Sequence, residues 1–390
     1  MAPLTVTISA WDLKEDSGDF LQVLLPHVAR ISQLSLRVSA SIEKVTHKHP
    51  GFFASMPDLT SLELHHNVRP SEWFPSNEAP VPSIFRNVSK LTSLRLTRVP
   101  LYPTLFDITS LVELKFVGLE IPFQNFIGFL ESNFSLEIVV LDLSFTRGSV
   151  LTAPEKKTSL PRLRRLALTC GRAISVRGLL SCLSLPRGIN IEVQEREGHS
   201  YGDLASVLPY PPTPIQDLLA PITTIKSLHL RGWLHLSGND GSFSFHSDAI
   251  EEKPYQEFDL FATGAVRQVH IHLSTMSGPW LFERLPALEV LVLSGRNPEP
   301  KPLTVLAKDP TLCPSLKTIA LVGCIETFGV LRELESMLRE RENSAAARLH
   351  RIVIVNKTWD MPNEIGSVSR FRKLVTHVDI MVGDDLPDLL

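Results

Sequence analysis

Apolar positions recur along this chain in one spacing: an apolar residue, two others, an apolar residue, one other, an apolar residue. The triplet stands at Ile31/Leu34/Leu36, Leu59/Leu62/Leu64, Leu91/Leu94/Leu96, Leu111/Leu114/Phe116, Ile138/Leu141/Leu143 and Leu163/Leu166/Leu168. It continues at Ile225/Leu228/Leu230, Val266/Val269/Ile271, Leu288/Leu291/Leu293, Leu316/Ile319/Leu321, Leu349/Ile352/Ile354 and Val375/Val378/Ile380. In a weaker version Ile189, Ile191 and Val193 only alternate. Anchors two apart share one face of a β-strand, and the residues between them face the other way. The first anchor enters from the turn before the strand. Between the strands lie segments of helical periodicity: Phe20 to Ile31, Phe123 to Leu130, and Val330 to Arg341, where Glu333, Glu335, Arg339 and Arg341 oppose Leu331, Leu334 and Leu338.

The middle anchors from Leu34 to Val378, counting Ile191, are 28, 32, 20, 27, 25, 25, 37, 41, 22, 28, 33 and 26 residues apart. Leucine-rich repeats run about 20 to 29 residues per strand, so most spacings fit and a few need insertions. Loosely apolar triplets are common by chance, but all-leucine ones are not. With 59 leucines about one is expected, and five occur, although the one at Leu180 is out of register. Pro57, Pro161, Pro286 and Pro314 each stand two residues before a first anchor. Proline there fits the passage from an outer helix or loop into a strand. The expected fold is α/β: a leucine-rich-repeat solenoid, or horseshoe, with a parallel concave sheet and irregular helices and loops on the convex side. Such repeats often carry Asn or Cys three residues past the third anchor, where the side chain satisfies backbone groups. Asn67 and Cys324 fit, Ser39, Thr146 and Ser274 fit weakly, and Val99, Leu119, Gly171, Trp233, Arg296 and Lys357 do not.

One domain is expected over 1–390, with 1–40 as the N-terminal cap that repeat arrays need. Leu4, Val6 and Ile8 alternate as its starting strand. The stretch 194–224, with Tyr210-Pro211-Pro212-Thr213-Pro214, reads as an insertion loop, and 71–82 as another loop. A β-hairpin over 228–247, with strands His229 to Leu236 and Ser242 to His246, turns at Gly238-Asn239-Asp240-Gly241. The acidic tail 383–390 is expected to be flexible.

Composition narrows the chemistry. The 39 basic and 42 acidic side chains give a net charge of −3, which argues against a dedicated nucleic-acid binder. No stretch is apolar enough to span a bilayer, and Met1 to Glu15 carries no signal-peptide pattern, so no membrane association is expected and the protein reads as cytoplasmic or nuclear. Four cysteines do not make a disulfide framework. No phosphate-binding loop, GxGxxG, HExxH or GxSxG is present, and no cysteine or histidine cluster has zinc-finger spacing. His270 and His272 share a strand face and could hold a metal weakly, but read better as solvated polar positions. No catalytic residue, metal or cofactor is assigned, and an enzyme is not expected.

The chain resembles the leucine-rich-repeat part of fungal F-box-type proteins, particularly those of mushroom-forming fungi. The resemblance rests on Pro-Arg-Leu-Arg-Arg-Leu-Ala-Leu (Pro161 to Leu168), Pro-Ala-Leu-Glu-Val-Leu-Val-Leu (Pro286 to Leu293), Cys-Pro-Ser-Leu-Lys-Thr-Ile-Ala-Leu (Cys313 to Leu321) and the outer helix Leu331 to Arg341. It implies a protein-protein interaction module, with substrate recognition in an F-box-type ubiquitin ligase as its use. In that family an N-terminal F-box with a Leu-Pro-x-Glu-like signature docks on the Skp adaptor. No such signature precedes these repeats, so that adaptor is a partner only where an F-box is supplied upstream. The alternatives are a plain repeat scaffold, or a regulator such as a GTPase activator, with no ligase link. A monomer with protein partners is expected.

Strand positions facing away from the core are polar in the early and middle units: Arg37, Glu63, His65, Arg95, Glu113, Lys115, Asp142, Arg165, His229, Arg231, His270 and His272. They turn apolar late, at Val290, Val292, Ala320, Val322, Val353 and Val355. With parallel strands about 4.8 Å apart, these six form one contiguous patch. The patch, with His270, His272 and Arg231 beside it, is the expected partner-binding site, unless a tail or hairpin of the chain itself lies over it.

Overall fold

The computed structural model describes residues 2–10, 23–38, 56–66, 88–99, 105, 107–145, 157–170, 173–195, 207–208, 225–230, 233–238, 241–246, 263–272, 279–295, 301–324, 328–344, 348–356 and 365–382. The 71–82 loop, most of the 194–224 insertion and the 383–390 tail lie outside them, as do Ser39, Asn67, Thr146, Ser274 and Arg231. The chain divides into two compact units, 1–199 with 206–211, and 200–205 with 212–390.

In the first unit eight strands pair side by side in parallel. They are β1 (Leu4–Ala10), β2 (Ile31–Val38), β3 (Ser61–His66), β4 (Ser93–Thr97), β5 (Glu113–Ile121), β6 (Ile138–Phe145), β8 (Arg165–Cys170) and β10 (Asn190–Glu195). Register aligns the middle anchors into a row: Val6, Leu34, Leu62, Leu94, Leu114, Val139, Leu166 and Ile191. The third anchors make a second row, from Ile8 through Leu36, Leu64, Leu96, Phe116, Leu141 and Leu168 to Val193. From β2 onward both rows are buried, whereas Leu4, Val6 and Ile8 on β1 are half-buried. One triplet differs from expectation. On β6 the anchors are Leu136, Val139 and Leu141, two residues earlier than Ile138/Leu141/Leu143. Leu136 receives the turn because its N–H donates to the Asn133 carbonyl at 3.1 Å.

That turn recurs. Leu59, Leu91, Leu163, Leu288 and Leu316 each donate an N–H to the carbonyl three residues earlier, on Met56, Val88, Leu160, Leu285 and Cys313. Pro57, Pro161, Pro286 and Pro314 therefore occupy the second position of a β-turn, where their fixed φ is pre-set and no N–H is needed. They sit exposed, each directly after a buried residue.

The return segments cover the anchors. Helix α1 (Phe123–Ser132) lays Phe126 and Phe129 on the third anchor Phe116, at ring-centroid distances of 6.3 and 5.9 Å. Helix α2 (Ala173–Cys182) carries Leu179 and Leu180 inward, which accounts for the out-of-register leucine triplet. After it β9 (Leu183–Ser184) pairs with β7 (Thr158–Ser159). A 3₁₀ helix, Leu25–Arg30, stands within the helix expected at Phe20 to Ile31.

The second unit repeats the plan. Strands β11 (Ile225–Leu230), β14 (Gln268–His272), β15 (Val290–Ser294), β16 (Thr318–Val322), β17 (Arg351–Asn356) and β18 (His377–Val382) pair in parallel. Their middle anchors Leu228, Val269, Leu291, Ile319, Ile352 and Val378 align as expected. The hairpin is present but divided differently. β12 (Trp233–Gly238) and β13 (Gly241–His246) form it, and β12 also turns back antiparallel onto β11. His229 to Leu236 is thus two strands, not one. Helices α3 (Pro279–Glu283), α4 (Lys301–Lys308), α5 (Phe328–Asn343) and α6 (Ile365–Leu374) fill the returns, with α4 on α5 and α5 on α6. Arg341 departs from the expected charged face of α5. It is 1% exposed, and its guanidinium donates to the Leu312 and Cys313 carbonyls at 3.1 and 3.2 Å.

The positions just past the third anchors also share a device. Two residues past the third anchor the backbone turns left-handed, at Arg98 (φ +53°), Gly118 (+65°), Gly295 (+92°) and Gly323 (+63°). The next residue, Val99, Leu119 or Cys324, points inward and is buried. Cys324 fulfils the expectation for this position, its thiol donating to the Leu293 carbonyl of the preceding repeat at 3.1 Å.

Candidate interaction surface

The sheet face opposite the anchors differs between the two units. From β2 onward in the first unit the positions between middle and third anchors are Ser35, Glu63, Arg95, Lys115, Val140, Ala167 and Glu192, in matched register. All but Ala167 are half-buried. Charges interlock across strands. Arg95, 41% exposed, lies 3.5 Å from Glu63 and 4.0 Å from Glu113, and Arg165 lies 3.4 Å from Glu192. Ser35 donates to Glu63 at 3.0 Å, and Ser93 to Glu113 at 3.3 Å. These pairs sit at the solvent boundary, where each contributes under about 1 kcal/mol. Their role is to fix side-chain positions. His65 lies one strand from Arg37 in the adjoining row. Partial burial and the positive fields of Arg37 and Arg98 hold its imidazole below its ordinary range, with Glu63 opposing.

In the second unit the same positions are His270, Val292, Ala320, Val353 and Asp379. Val290, Val292, Ala320, Val353 and Val355 form one cluster, with Val322 and Met381 packed against it. The expected contiguity is present. The side chains are nevertheless buried: Val290 is 3% exposed, and Val292, Ala320, Val353 and Val355 are 0% exposed. Only Val322 is half-buried, so the patch does not lie open to solvent. The physical reason is that a parallel sheet covered on both faces reads as an unbroken apolar run. Val290–Ser294 and Thr318–Val322 have that form, with no polar alternation to mark a wet face. At the margin Arg351 bonds Asp379 at 2.6 Å.

His270 and His272 lie on that face, one strand from Val292 and Ser294. His270 Nε2 shares a hydrogen bond of 2.8 Å with Ser294 Oγ. The His272 ring fills the space over Gly295: a Cβ there would stand 2.2 Å from its Nε2. Among the described residues no three His, Cys, Asp or Glu side chains group as metal ligands. Burial pushes the Cys313 and Cys324 thiols up to about 12, so neither supplies a thiolate at neutral pH. Asn133 escaped sequence reading. Fully buried, it donates to the Ile108 and Phe129 carbonyls at 2.7 and 3.0 Å and accepts from the Leu111 N–H at 3.3 Å. A polar residue ending an apolar helix was its only sequence signal.

Among the described residues no helix is long and apolar enough to cross a membrane. Comparison with protein-family models finds no match, and comparison with curated proteins finds no relative. One solved structure similar to this chain is an internalin from Listeria monocytogenes, 11% identical, covering 97% of this chain and 94% of that one with a TM-score of 0.30. That likeness is too slight to carry an argument. The fold rests on the strand register.

Proposed function

We propose that this protein is a non-catalytic protein-interaction module whose partner docks on the sheet face opposite the anchors, with charged side chains of the first unit setting specificity. The observation that carries the reading is the first-unit face, where Ser35, Glu63, Arg95, Lys115 and Glu192 are register-matched, half-exposed polar or charged groups, most of them tied by cross-strand pairs. Charge arranged in this way selects partners more than it adds affinity. The test is the double charge reversal Lys115→Glu with Glu192→Lys, with folding checked by circular dichroism. Partners that co-purify with the wild type are expected to be lost. Full retention sinks the reading.

The finer assignment places these repeats as the substrate-recognition part of an F-box-type ubiquitin ligase. The resemblance of Pro161 to Leu168, Pro286 to Leu293 and Cys313 to Leu321 supports it. Co-purification of a Skp-type adaptor with the full gene product is the expected result, and a scaffold or regulator without a ligase link would bring none. A second reading keeps Val290, Val292, Ala320, Val322, Val353 and Val355, flanked by His270, His272 and Arg231, as an apolar anchor reached by local opening. The contiguity of the cluster supports it. The informative variant is Val322→Glu at the half-buried margin, and a folded variant that keeps every partner removes that anchor. We also read 1–390 as one cooperative domain. A single calorimetric transition is expected, and two resolved transitions refute it.

A further inference from the structure

One end of the first-unit face holds an excess of positive charge. Register sets Arg37 of β2 beside His65 of β3, and His65 beside Thr97 of β4, with Arg98 next in the chain. Lys115 of β5 lies beside Arg95. Arg95 is shared between Glu63 and Glu113, so four cations, Arg37, Arg95, Arg98 and Lys115, stand against these two carboxylates. Among the described residues Arg37, Arg98 and Lys115 form no ion pair. Asp142 shares the row of His65 but stands three strands away, roughly 14 Å.

The backbone at Arg98 is a second, independent observation. At three equivalent positions, the β5 bulge at Gly118 and the strand exits at Gly295 and Gly323, glycine makes the left-handed turn, and this one uses arginine at φ +53°. A non-glycine residue there is strained, and strain held where glycine would serve points to the side chain. Gly118 on the next strand makes room for it. A Cβ at Gly118 would stand 3.1 Å from Arg98 Cγ, so the arginine stem lies across that glycine while the residue as a whole stays exposed. The fields of Arg37 and Arg98 both act on His65, which places the three groups in one neighbourhood.

We infer that Arg37, His65, Arg98 and Lys115 form an anion-binding edge of the docking face, and that the partner brings to it an acidic protein segment, a run of Asp and Glu side chains. The inference rests on the proposed docking face. Guanidinium groups take carboxylates through paired, charge-assisted hydrogen bonds, and Lys115 adds a point charge. Arg37 and Arg98 belong to strands two apart, about 10 Å, which an extended segment spans in about three residues. A peptide can place its charges to avoid Glu63, Glu113 and Glu192 on the same face. A nucleic-acid backbone, with charge at every step, cannot, and the chain as a whole is negative.

The test uses the full chain and a fluorescein-labelled peptide of alternating Glu and Ser, with fluorescence anisotropy as the readout. An equally long Lys and Ser peptide and a single-stranded oligonucleotide of equal charge are the other arms. The Glu peptide is expected to bind, more weakly as salt rises. Arg98→Gly and Arg37→Gln should each weaken it by about fivefold or more, while Arg348→Gln, an exposed arginine paired with Glu342, leaves it unchanged. Arg98→Gly removes the guanidinium together with the strain, and circular dichroism on each variant separates lost folding from lost binding. His65 is neutral near pH 7 and gains charge only below its ordinary range. Binding should therefore tighten as the pH falls below the ordinary imidazole range, and less so in His65→Asn. Arginine variants that bind like the wild type overturn the inference, as does an oligonucleotide that binds more tightly than the Glu peptide. A wild type that ignores the Glu peptide overturns it even where Lys115→Glu with Glu192→Lys loses its partners, because the docking face then stands without acidic chemistry. Retained partners in that variant overturn the docking face itself.

Discussion

Glu63, Arg95 and Lys115 in the first unit hold the same repeat position as Val292, Ala320 and Val353 in the second. Both sets follow the middle anchor on adjacent parallel strands. The first set is half-buried and charged, whereas the second is buried and apolar. The anchors and the backbone ladder fix the first face of such a sheet whichever residues stand between them. Those intervening residues decide whether the second face meets water or becomes another core. An array of this kind can thus change the use of its second face without changing its register.

The largest expected effect breaks that comparison directly. Val353→Glu puts a charge into the covered face, and Leu166→Asp puts one into the anchor row. Each should cost about 3–5 kcal/mol, since neither carboxylate finds a partner. Lys115→Val and Arg165→Asp, on the first-unit face, should shift stability by about 0.5 kcal/mol or less. Urea unfolding midpoints measure all four. A cost below about 1 kcal/mol for Val353→Glu would show that this face is wet.

Next come two buried polar residues that tie return segments to turns, one in each unit. Asn133 spans Leu111, Ile108 and Phe129, and Arg341 holds Leu312 and Cys313. Asn133→Ala and Arg341→Ala each strand buried backbone groups, and about 2–4 kcal/mol should be lost in each case. Arg339→Ala, two residues from Arg341 but paired with Glu335 at the surface, should cost about 0.5 kcal/mol. If Arg341→Ala is as mild as Arg339→Ala, the buried arginine is not holding the turn.

The same contrasts show what the sequence could convey. The anchor rows were legible because burial imposes a spacing that survives among variable residues. Even the slip on β6 kept the faces right, since Leu136, Ile138, Val139, Val140, Leu141 and Leu143 offer two overlapping triplets of the same parity. The choice between them depends on the Asn133 turn, which spacing does not encode. The valine positions were legible as a patch, but the choice between a partner surface and coverage by the chain stayed open, because missing alternation does not say what lies over the second face. Arg341 was grouped with the charged face for its guanidinium, although its spacing of seven from Leu334 and three from Leu338 sets it on the apolar stripe. Its burial follows from the carbonyls it meets on the preceding return. The break between β11 and β12 was missed because His229 to Leu236 alternates almost without interruption.

A smaller effect concerns thiol reactivity. With pKa values pushed up to about 12 by burial, Cys313 and Cys324 hold almost no thiolate at neutral pH. Both should resist iodoacetamide in the folded protein and react on unfolding, as mass spectrometry can follow. Rapid native labelling of Cys324 would show that its bond to the Leu293 carbonyl opens readily.

The smallest expected change sharpens the comparison at a single backbone position. Arg98 and Gly295 both leave their strands left-handed, at φ +53° and +92°. Gly295→Ala adds a Cβ at a strained φ and drives it to 2.2 Å from the His272 ring, which must move. About 1–3 kcal/mol should be lost. Arg98→Gly runs the other way. It removes left-handed strain of about 1–2 kcal/mol, but glycine frees the unfolded chain by about 0.4–1 kcal/mol, and the packing of the arginine stem on Gly118 disappears. These terms oppose one another, so thermal unfolding should place Arg98→Gly within about 0.5 kcal/mol of the wild type. A loss as large as that of Gly295→Ala would mean that the arginine stem holds the β4–β5 exit together. A result near zero leaves the side chain free to serve the docking face alone.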